Sequence, residues 1–525
     1  MPLANLSGFG SRPMSENAES TAIEIVPKLR MQQEESEMRQ MLKRAGVLLV
    51  CAAVMFLFVA GSTRAQVPGV TKLTGSLADG ATYLIEVPAN WNGTLFLYSH
   101  GYVVPGSPNP AVDVGDPITR LFMLSSGFAL AGSSFATTGW ALQDAFVDQI
   151  AVLDLFDLVV GHPKRTIAWG HSLGGMITAG LIQRNPHRFV AAQPMCGVLS
   201  GGVATWNTAL DSEFAFQKLL APGTGLQVVN ITNPLANLKL AETVLAEAQA
   251  TPQGRARIAL SGALGNLPGW FTPLSPEPAP TDFAGQEMNQ FLWSQQVDFP
   301  FVFAFRAELE FRAQGNVSWN TGVDYRKQLD KSIGRDEVRA LYEQAGLDLD
   351  ADLRTLNEAA RISADPEAVR YLERNIIFDG ELDIPVLTLH TKGDGLVVVQ
   401  NESAYKKVVN EAGDGKFLRR TFIDRAGHCA FTPAETIVGV NALLDRLDTG
   451  EWHDVDAKDL NAAAAALGPV FNVFGTPQGL AAVPPAYFEF DPSRYLRPFD
   501  ALTGECEFGF LCGDDGPFSG HGLQH

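Results

Sequence analysis

Short apolar segments alternate with segments of helical periodicity over residues 70–201. Residues 94–99 and 166–169 are nearly continuous apolar runs, which predicts buried strands. Residues 141–160 and 173–183 carry apolar positions at the spacing of helices that pack against a core. Strands that alternate with helices and are apolar along their length are typical of a parallel sheet covered on both faces. We therefore predict an α/β fold with a mostly parallel sheet and helices on both faces.

The alternation stops after residue 201 and resumes near residue 384. Residues 202–375 contain long helical patterns and few strand signals. Beyond them, VLTLHTKGD and FLRRTFID have the composition of strands, and each precedes a helical pattern. The sequence thus predicts an α/β core made of residues 66–201 and 376–450, with residues 202–375 inserted as a large helical cap. Residues 451–525 are expected to form a loop-rich C-terminal extension.

Composition narrows the class of protein without identifying it. The chain has 525 residues, a formal charge of −19, 46 % hydrophobic and 18 % charged residues. Its length allows three domains or one catalytic domain with an insertion, and its apolar content excludes the disordered and fibrous classes. A surface this acidic repels phosphate, which excludes a simple nucleic-acid-binding protein. For the same reason the protein is not attracted to anionic membranes.

The first 65 residues have the pattern of an export signal. Lys43 and Arg44 precede an apolar run, 45–60, and small residues lead to Ala65. This predicts a signal peptide, 41–65, cleaved after Ala65, and hence a secreted or periplasmic protein. The alternative is a membrane anchor, but the run is shorter than the ~20 residues that span a bilayer. Residues 1–40 are polar and predicted to be a disordered leader, and Met41 is a candidate for the true start.

Outside the predicted signal peptide the chain has four cysteines, an even number that allows two disulfides in an oxidising compartment. Cys506 and Cys512 are close enough in sequence to close a small loop, which would leave Cys196 with Cys429. The alternative for the latter pair is two buried free thiols. No CxxC or HExxH motif occurs, so the sequence does not indicate a metal site.

The strongest chemical signal is the G-x-S-x-G motif centred on Ser172, which lies between a predicted buried strand and a predicted helix. Small residues around the serine permit the strained strand-to-helix turn that raises its hydroxyl above the sheet. The helix that follows presents unpaired N–H groups at the same place. We therefore interpret Ser172 as a nucleophile; the alternative is a glycine-rich packing turn.

A serine nucleophile needs a histidine base and a carboxylate that orients it. On this type of fold they are expected after later strands, in the order Ser, Asp or Glu, His. Asp394 ends the strand VLTLHTKGD, and His428 follows the strand FLRRTFID. Asp383 precedes its strand and Asp424 lies within or at the end of another, so both are weaker candidates. His390 is expected to be a satisfied core residue.

The oxyanion hole requires two backbone N–H groups near the nucleophile. One is predicted to come from Leu173, directly after Ser172. The other is predicted to come from Tyr102, in the loop after the strand 94–99, where Gly101 allows close approach of the backbone. The alternative for this loop is an ordinary turn.

With these motifs the chain resembles the α/β-hydrolase superfamily from about Val70 to Asp448. More narrowly it resembles the phthalyl amidases, bacterial enzymes that cleave amides of phthalic acid. The stretches that carry this likeness are VPANWNG, TPQGRARIALSGALG, GHCAFTPAE and RLDTGEW. The resemblance implies serine-dependent hydrolysis of an amide or ester of an aromatic acid, without a cofactor.

The predicted cap holds an aromatic-rich run, 291–303, which is a candidate lining for an apolar pocket, although core packing of the cap is the simpler explanation. Arg306 and Arg312 are candidates to receive a substrate carboxylate, or simply solvated charges. The prediction is an exported serine hydrolase that acts on small-molecule esters or amides through an acyl-enzyme and keeps no membrane anchor after signal cleavage. Alternatives are an exopeptidase of the same fold, which needs a cap acid to hold a free α-amino group, and a non-catalytic binding protein on this scaffold.

Overall fold

The computed structural model describes residues 69–476 and 479–499. The predicted leader, the predicted signal peptide, and the cysteines Cys506 and Cys512 lie outside this part of the chain. None of the helices in these two ranges is long and apolar enough to cross a membrane.

Nine strands of the described residues form one sheet in the order β1-β2-β4-β3-β5-β6-β7-β8-β11. The six strands from β4 to β8 are paired in parallel, and β1, β2 and β11 are antiparallel to their neighbours. A separate hairpin contains β9 and β10. The strands are β1 (Val70–Ser76), β2 (Thr82–Pro88), β3 (Thr94–Ser99), β4 (Ala129–Ser133), β5 (Arg165–His171), β6 (Ala191–Met195), β7 (Val386–Gly393), β8 (Leu418–Ala426), β9 (Val473–Thr476), β10 (Gly479–Ala482) and β11 (Tyr487–Phe488).

The helices that flank the sheet or belong to the inserted segment are α1 (Pro117–Ser125), α2 (Leu142–Val159), α3 (Leu173–Arg184), α4 (Gly202–Leu220), α5 (Pro234–Gln249), α6 (Pro252–Leu264), α7 (Phe283–Trp293), α8 (Arg306–Ala313), α9 (Tyr325–Lys331), α10 (Arg335–Ala345), α11 (Leu349–Glu358), α12 (Pro366–Asn375), α13 (Asn401–Glu411), α14 (Pro433–Thr449) and α15 (Ala457–Ala466). Two single π-helical turns, Ser294–Asp298 and Phe301–Phe305, join α7 to α8.

Alternate side chains of β3 pack into two different cores, one on each face of the sheet. All six residues of this strand are buried, and successive side chains of a strand point to opposite faces. Leu95 and Leu97 belong to the core that packs under α2 and α3. Phe96 and Tyr98 belong to the core that packs under α1 and α14. The predicted mostly parallel α/β sheet with helices on both faces is therefore confirmed.

Helices α4 to α12 occupy the segment between β6 and β7. They have an apolar core of their own, in which Phe214 of α4 stacks on Tyr325 with the ring centroids 5.6 Å apart. Leu260 and Val338 are fully buried in the same core. The segment therefore has an apolar core separate from the two cores that pack on the faces of the sheet.

The C-terminal segment contributes a strand that the sequence pattern did not reveal. Tyr487 of β11 pairs with Ile423 of β8, which adds an antiparallel strand to the edge of the central sheet. The Tyr487 hydroxyl donates to the main-chain oxygen of Glu435 in α14 at 2.6 Å. This segment therefore covers the edge beside the loop that carries His428.

Candidate active site

Ser172 occupies a sharp turn between β5 and α3, with φ of 60° and ψ of −125°. Side chains at the flanking glycines would not fit. A Cβ at Gly174 would lie 1.9 Å from the main-chain oxygen of Ser99, and one at Gly170 would lie 2.5 Å from the same atom. Positive φ at a non-glycine residue is strained, and such strain is concentrated at functional sites. The turn has the form of a nucleophile elbow.

Ser172, His428 and Asp394 form a continuous chain of hydrogen bonds. The Ser172 hydroxyl lies 2.8 Å from Nε2 of His428, and Nδ1 of His428 lies 2.7 Å from Oδ2 of Asp394. Because an ionised carboxylate only accepts, Nδ1 carries a proton and donates to it, which leaves Nε2 as the acceptor for the serine hydroxyl. The structure thus brings together the three residues named from the sequence.

Asp394 is fully buried at the end of β7. Its other carboxylate oxygen, Oδ1, accepts a hydrogen bond from the main-chain N–H of Val397 at 2.9 Å. Burial alone would raise the pKa of this carboxyl, but electrostatic attraction to His428 and His390, together with the hydrogen bond from His428, holds its pKa below the usual value. Asp394 therefore stays ionised and can orient the imidazole of His428.

His390 is a second histidine beside Asp394, and sequence reasoning assigned it only to the core. It is fully buried, its Nε2 donates to the main-chain oxygen of Val397 at 2.8 Å, and its Nδ1 lies 3.1 Å from Oε1 of buried Glu402. Both ring nitrogens face acceptors. Burial opposes the charge, yet the carboxylates of Asp394 and Glu402 raise the pKa of His390 to about 10. The buried position of His390 was predicted correctly. Its positive charge depends on Glu402, and no sequence motif indicates that these two residues are close.

The loop after β8, which carries His428, is held by a disulfide and by one buried guanidinium. Cys429 is joined to Cys196 by a disulfide, so these residues are not the pair of free thiols considered from the sequence. Nη1 of Arg425 donates to the main-chain oxygen of Ala430 at 2.6 Å. The same guanidinium is paired with buried Glu435 in α14 at 2.8 and 3.0 Å. Together these contacts fix the backbone on both sides of the imidazole.

The predicted oxyanion-hole residues flank the serine. Leu173 is the first residue of α3, where a backbone N–H has no intrahelical acceptor. The loop that carries Tyr102 passes beside Ser172, because a Cβ at Gly101 would lie 3.2 Å from the serine Cβ. Leu173 and Tyr102 both line the cavity over the elbow. Both residues named from the sequence therefore lie on the Ser172 side of that cavity.

A cavity of about 160 Å³ opens over Ser172 between the sheet edge and the inserted helices. Its wall is mostly apolar and aromatic, with contributions from Tyr102, Trp140, Trp206, Phe216, Phe299, Phe301, Val302 and Phe303. Part of the aromatic run at the π-helical turns thus lines a pocket, although core packing was the simpler expectation from the sequence, and Phe303 is also fully buried. Such a lining suits an apolar substrate.

Two acidic residues also line the cavity, Glu213 of α4 and Asp298 of the first π-helical turn. Burial is the main cause that raises the pKa of Glu213 to about 8. Burial, reinforced by the charge of Asp394, raises the pKa of Asp298 well above its usual value. Arg306 and Arg312, the candidates for receiving a substrate carboxylate, are not among the lining residues.

Within the described residues, the cluster with metal-ligand geometry consists of Cys196, His428 and Cys429, with ligand atoms within 4.8 Å of one another. Both sulfur atoms are bonded to each other, so the two cysteines do not offer thiolates. The remaining imidazole is hydrogen-bonded to Ser172 and Asp394. The donor set therefore does not fit a metal while the disulfide is intact.

Comparison with known proteins identifies a relative that is similar over most of the chain. An o-phthalyl amidase of Xanthobacter agilis is 30 % identical over 427 residues, which cover 75 % of this chain and 91 % of the amidase. No family model matches the sequence. Among solved structures, feruloyl esterase B from Aspergillus oryzae is 11 % identical and has a TM-score of 0.37. The matched region covers 73 % of this chain and 82 % of the esterase. The rice cell wall degrading esterase LipA from Xanthomonas oryzae is 13 % identical over 72 % and 90 % of the two chains, with a TM-score of 0.33.

The parallel sheet with the elbow at the end of β5 defines an α/β-hydrolase. Within this class the chain belongs to the family of the o-phthalyl amidase, since the similarity extends over most of both proteins.

Proposed function

We propose that the protein is a serine hydrolase that cleaves carboxylic esters or amides through an acyl-enzyme. The observation that carries the proposal is the hydrogen-bonded chain from Ser172 through His428 to Asp394, at the wall of a mostly apolar cavity. The family supports the same class of reaction. In this proposal Ser172 is the nucleophile, His428 the general base and acid, and Asp394 the residue that orients the imidazole.

The reaction begins when the Ser172 hydroxyl attacks the substrate carbonyl and gives its proton to Nε2 of His428. The negative charge that develops on the carbonyl oxygen is stabilised by the main-chain N–H groups of Leu173 and Tyr102. His428 then protonates the departing alcohol or amine, which leaves an acyl group on Ser172. Water activated by His428 attacks this ester, releases the acid and restores the serine.

We propose esters or amides of aromatic acids as the substrate class. The aromatic side chains around the cavity support this choice, and Tyr102 stands with Phe301 at a ring-centroid distance of 5.1 Å. Aromatic rings favour edge-to-face contacts with other rings at this spacing. The relative's name describes an amidase that acts on an o-phthalyl group, which is an aromatic acyl group.

We further propose that the mature protein works outside the cytoplasm, as a secreted or periplasmic enzyme. The predicted signal peptide, 41–65, motivates this proposal. The Cys196–Cys429 disulfide supports it, because structural disulfides are typical of oxidising compartments.

The test uses an aryl ester and an anilide of the same aromatic acid. Wild type, Ser172→Ala and a control variant, Ser125→Ala, would be compared on both substrates. Ser125 is an exposed serine at the end of α1, and its loss should not change turnover. The proposal expects wild type and Ser125→Ala to hydrolyse the ester or both substrates, and Ser172→Ala to hydrolyse neither. Equal turnover by Ser172→Ala and wild type would overturn it.

A further inference from the structure

Glu213 is a buried acid whose environment the proposed reaction does not explain. It is 2 % exposed, and neither carboxylate oxygen has a hydrogen-bond partner among the described residues. Buried polar atoms are nearly always paired, so an unpaired carboxyl in a cavity wall points to a missing partner. The side chain lines the cavity above the nucleophile, where a substrate can reach it.

A neighbouring positive charge, that of Arg306, is shared with another acid. Arg306 is fully buried and its Nε lies 3.3 Å from Oε1 of Glu310, although none of its guanidinium nitrogens has a hydrogen-bond partner among the described residues. The attraction of Arg306 for Glu213 is opposed by the repulsion of Glu310 and Asp211, and burial is the largest cause of the raised pKa of Glu213. The positive charge of Arg306 thus interacts with more than one acid and does not fully compensate a negative charge on Glu213.

The rest of the cavity adds no positive charge. Of the described residues that line it, none is Lys, Arg or His, and Asp298 is a second acid. Asp394 lies close enough to raise the pKa of Asp298, so the end of the cavity near the triad is also acidic. A protonated amine on a substrate would therefore find acidic partners here and no competing cation among the described lining residues.

Helix α4 sets the place of the acid within the cavity. Thr205, Thr208, Ser212 and Phe216 line the wall at helical spacing, together with Glu213. Thr205 and Glu213 are eight residues apart, which corresponds to about 12 Å along the helix axis. The carboxyl therefore lies toward one end of the stretch of wall that α4 supplies.

We propose that the cavity takes ester or amide substrates with an apolar body and a protonated amine, and that Glu213 binds this ammonium group. This inference rests on the proposed hydrolase function and names the chemistry of its substrate. An ammonium group donates up to three hydrogen bonds to carboxylate oxygens that otherwise have no partner. In the free protein Glu213 is a neutral acid without a hydrogen-bond partner among the described residues, and in the complex its carboxylate pairs with the ammonium group. This pairing favours the cationic substrate over a neutral one of the same length.

The test uses two matched ester series. In the first the acyl chain varies: 4-nitrophenyl hexanoate, 4-nitrophenyl 6-aminohexanoate and the mono-4-nitrophenyl ester of adipic acid. In the second the leaving group varies: 4-methylphenyl and 4-(aminomethyl)phenyl hexanoate. Wild type should favour the ammonium member of at least one series over its neutral analogue by about ten- to a hundredfold in kcat/KM. The adipate ester controls for the mere presence of a charge, and it should show no comparable preference over the hexanoate ester.

Glu213→Gln keeps the size of the side chain and removes its charge. The ammonium preference should fall to within a few fold of unity in this variant, with the change mostly in KM. The control is Glu287→Gln, another acid with 1 % exposure and a raised pKa, which does not line the cavity. It should keep the wild-type preference.

The outcomes separate this inference from the proposed function. If wild type hydrolyses neutral and ammonium esters equally well, or if Glu213→Gln keeps the preference, the ammonium site is wrong while the hydrolase remains. If wild type hydrolyses no member of either series but still hydrolyses the aryl ester of the aromatic acid, the ammonium site alone is wrong. If it does not hydrolyse that aryl ester either, the proposed function fails first.

Discussion

The ring of His390 lies against the carboxylate of Glu402, with Nδ1 3.1 Å from Oε1, and both side chains are fully buried. On the other side the same ring reaches Asp394, with Nε2 3.6 Å from Oδ2. A positive charge is therefore held between the acid that orients His428 and a second buried acid. Helix α13 supplies Glu402, β7 supplies His390, and Asp394 directly follows β7, so the His390–Glu402 pair also ties this helix to the sheet.

His390→Gln should lower the free energy of unfolding most strongly at about pH 6, by about 3–5 kcal/mol, because it leaves Glu402 buried without its partner. The folded-state pKa of His390 is raised from 6.5 to about 10, so its stabilising contribution is complete below pH 6.5 and is lost as the pH rises through about 10. The difference between variant and wild type should therefore shrink across this window. Urea unfolding at several pH values measures it, and a constant difference would contradict the charged pair.

The double variant Cys196→Ala/Cys429→Ala should be less stable than wild type by about 2–4 kcal/mol, because the disulfide closes a long loop. Its kcat should also fall, since Cys429 follows His428 and both cysteines have positive φ values that the crosslink helps to hold. Thermal unfolding with and without a reductant measures the first effect. Reductant should lower the Tm of wild type and leave that of the double variant unchanged. An equal response of both proteins would contradict a stabilising crosslink.

Glu435→Gln should destabilise the protein by about 3–5 kcal/mol, because Arg425 would remain buried with its charge unpaired. Glu435 also completes a capping box with Thr432 at the start of α14, so the turn next to His428 loses a cap. The control is Glu242→Gln on the surface, where the ion pair with Lys239 spans 3.9 Å and its loss should not be measurable. Similar unfolding midpoints for the two variants would show that the buried pair contributes little.

Gly101→Ala should lower kcat about tenfold or more with little change in KM, since a small displacement near reacting atoms has large effects on rate. The new Cβ would lie 3.2 Å from the Cβ of Ser172 and 3.4 Å from the main-chain oxygen of His171. The loop would have to move and carry the amide of Tyr102 away from the elbow. Steady-state kinetics on the aryl ester measures this effect. Unchanged kcat in a folded variant would exclude this loop from the oxyanion hole.

The geometry of the three hydrogen-bonded residues could be anticipated because local rules apply to each. Ser172 is marked by glycines that its turn requires, and Asp394 and His428 follow strands that a period-two or apolar pattern reveals. The parallel sheet follows from the same alternation. Short segments were harder: β11 has two residues, and its pairing with β8 depends on tertiary contacts rather than on periodicity.

The charged groups behind and above the triad could not be anticipated in the same way. Glu402 meets His390 only because α13 packs next to β7. The sequence of the helix that carries Glu213 does not set this residue apart. The lack of hydrogen-bond partners for its carboxylate among the described residues depends on the tertiary structure. Sequence patterns locate elements and motifs, whereas the protonation of a buried side chain depends on neighbours from distant segments.

The central claim is that Ser172 is the nucleophile and that His428 activates it, and covalent labelling tests this most directly. Wild type treated with a fluorophosphonate should gain a single adduct, which peptide mass spectrometry should locate on Ser172. Ser172→Ala should remain unlabelled, and labelling of His428→Ala should be slower by about a hundredfold or more. An adduct on another residue, or labelling of Ser172→Ala at the wild-type rate, would contradict the account.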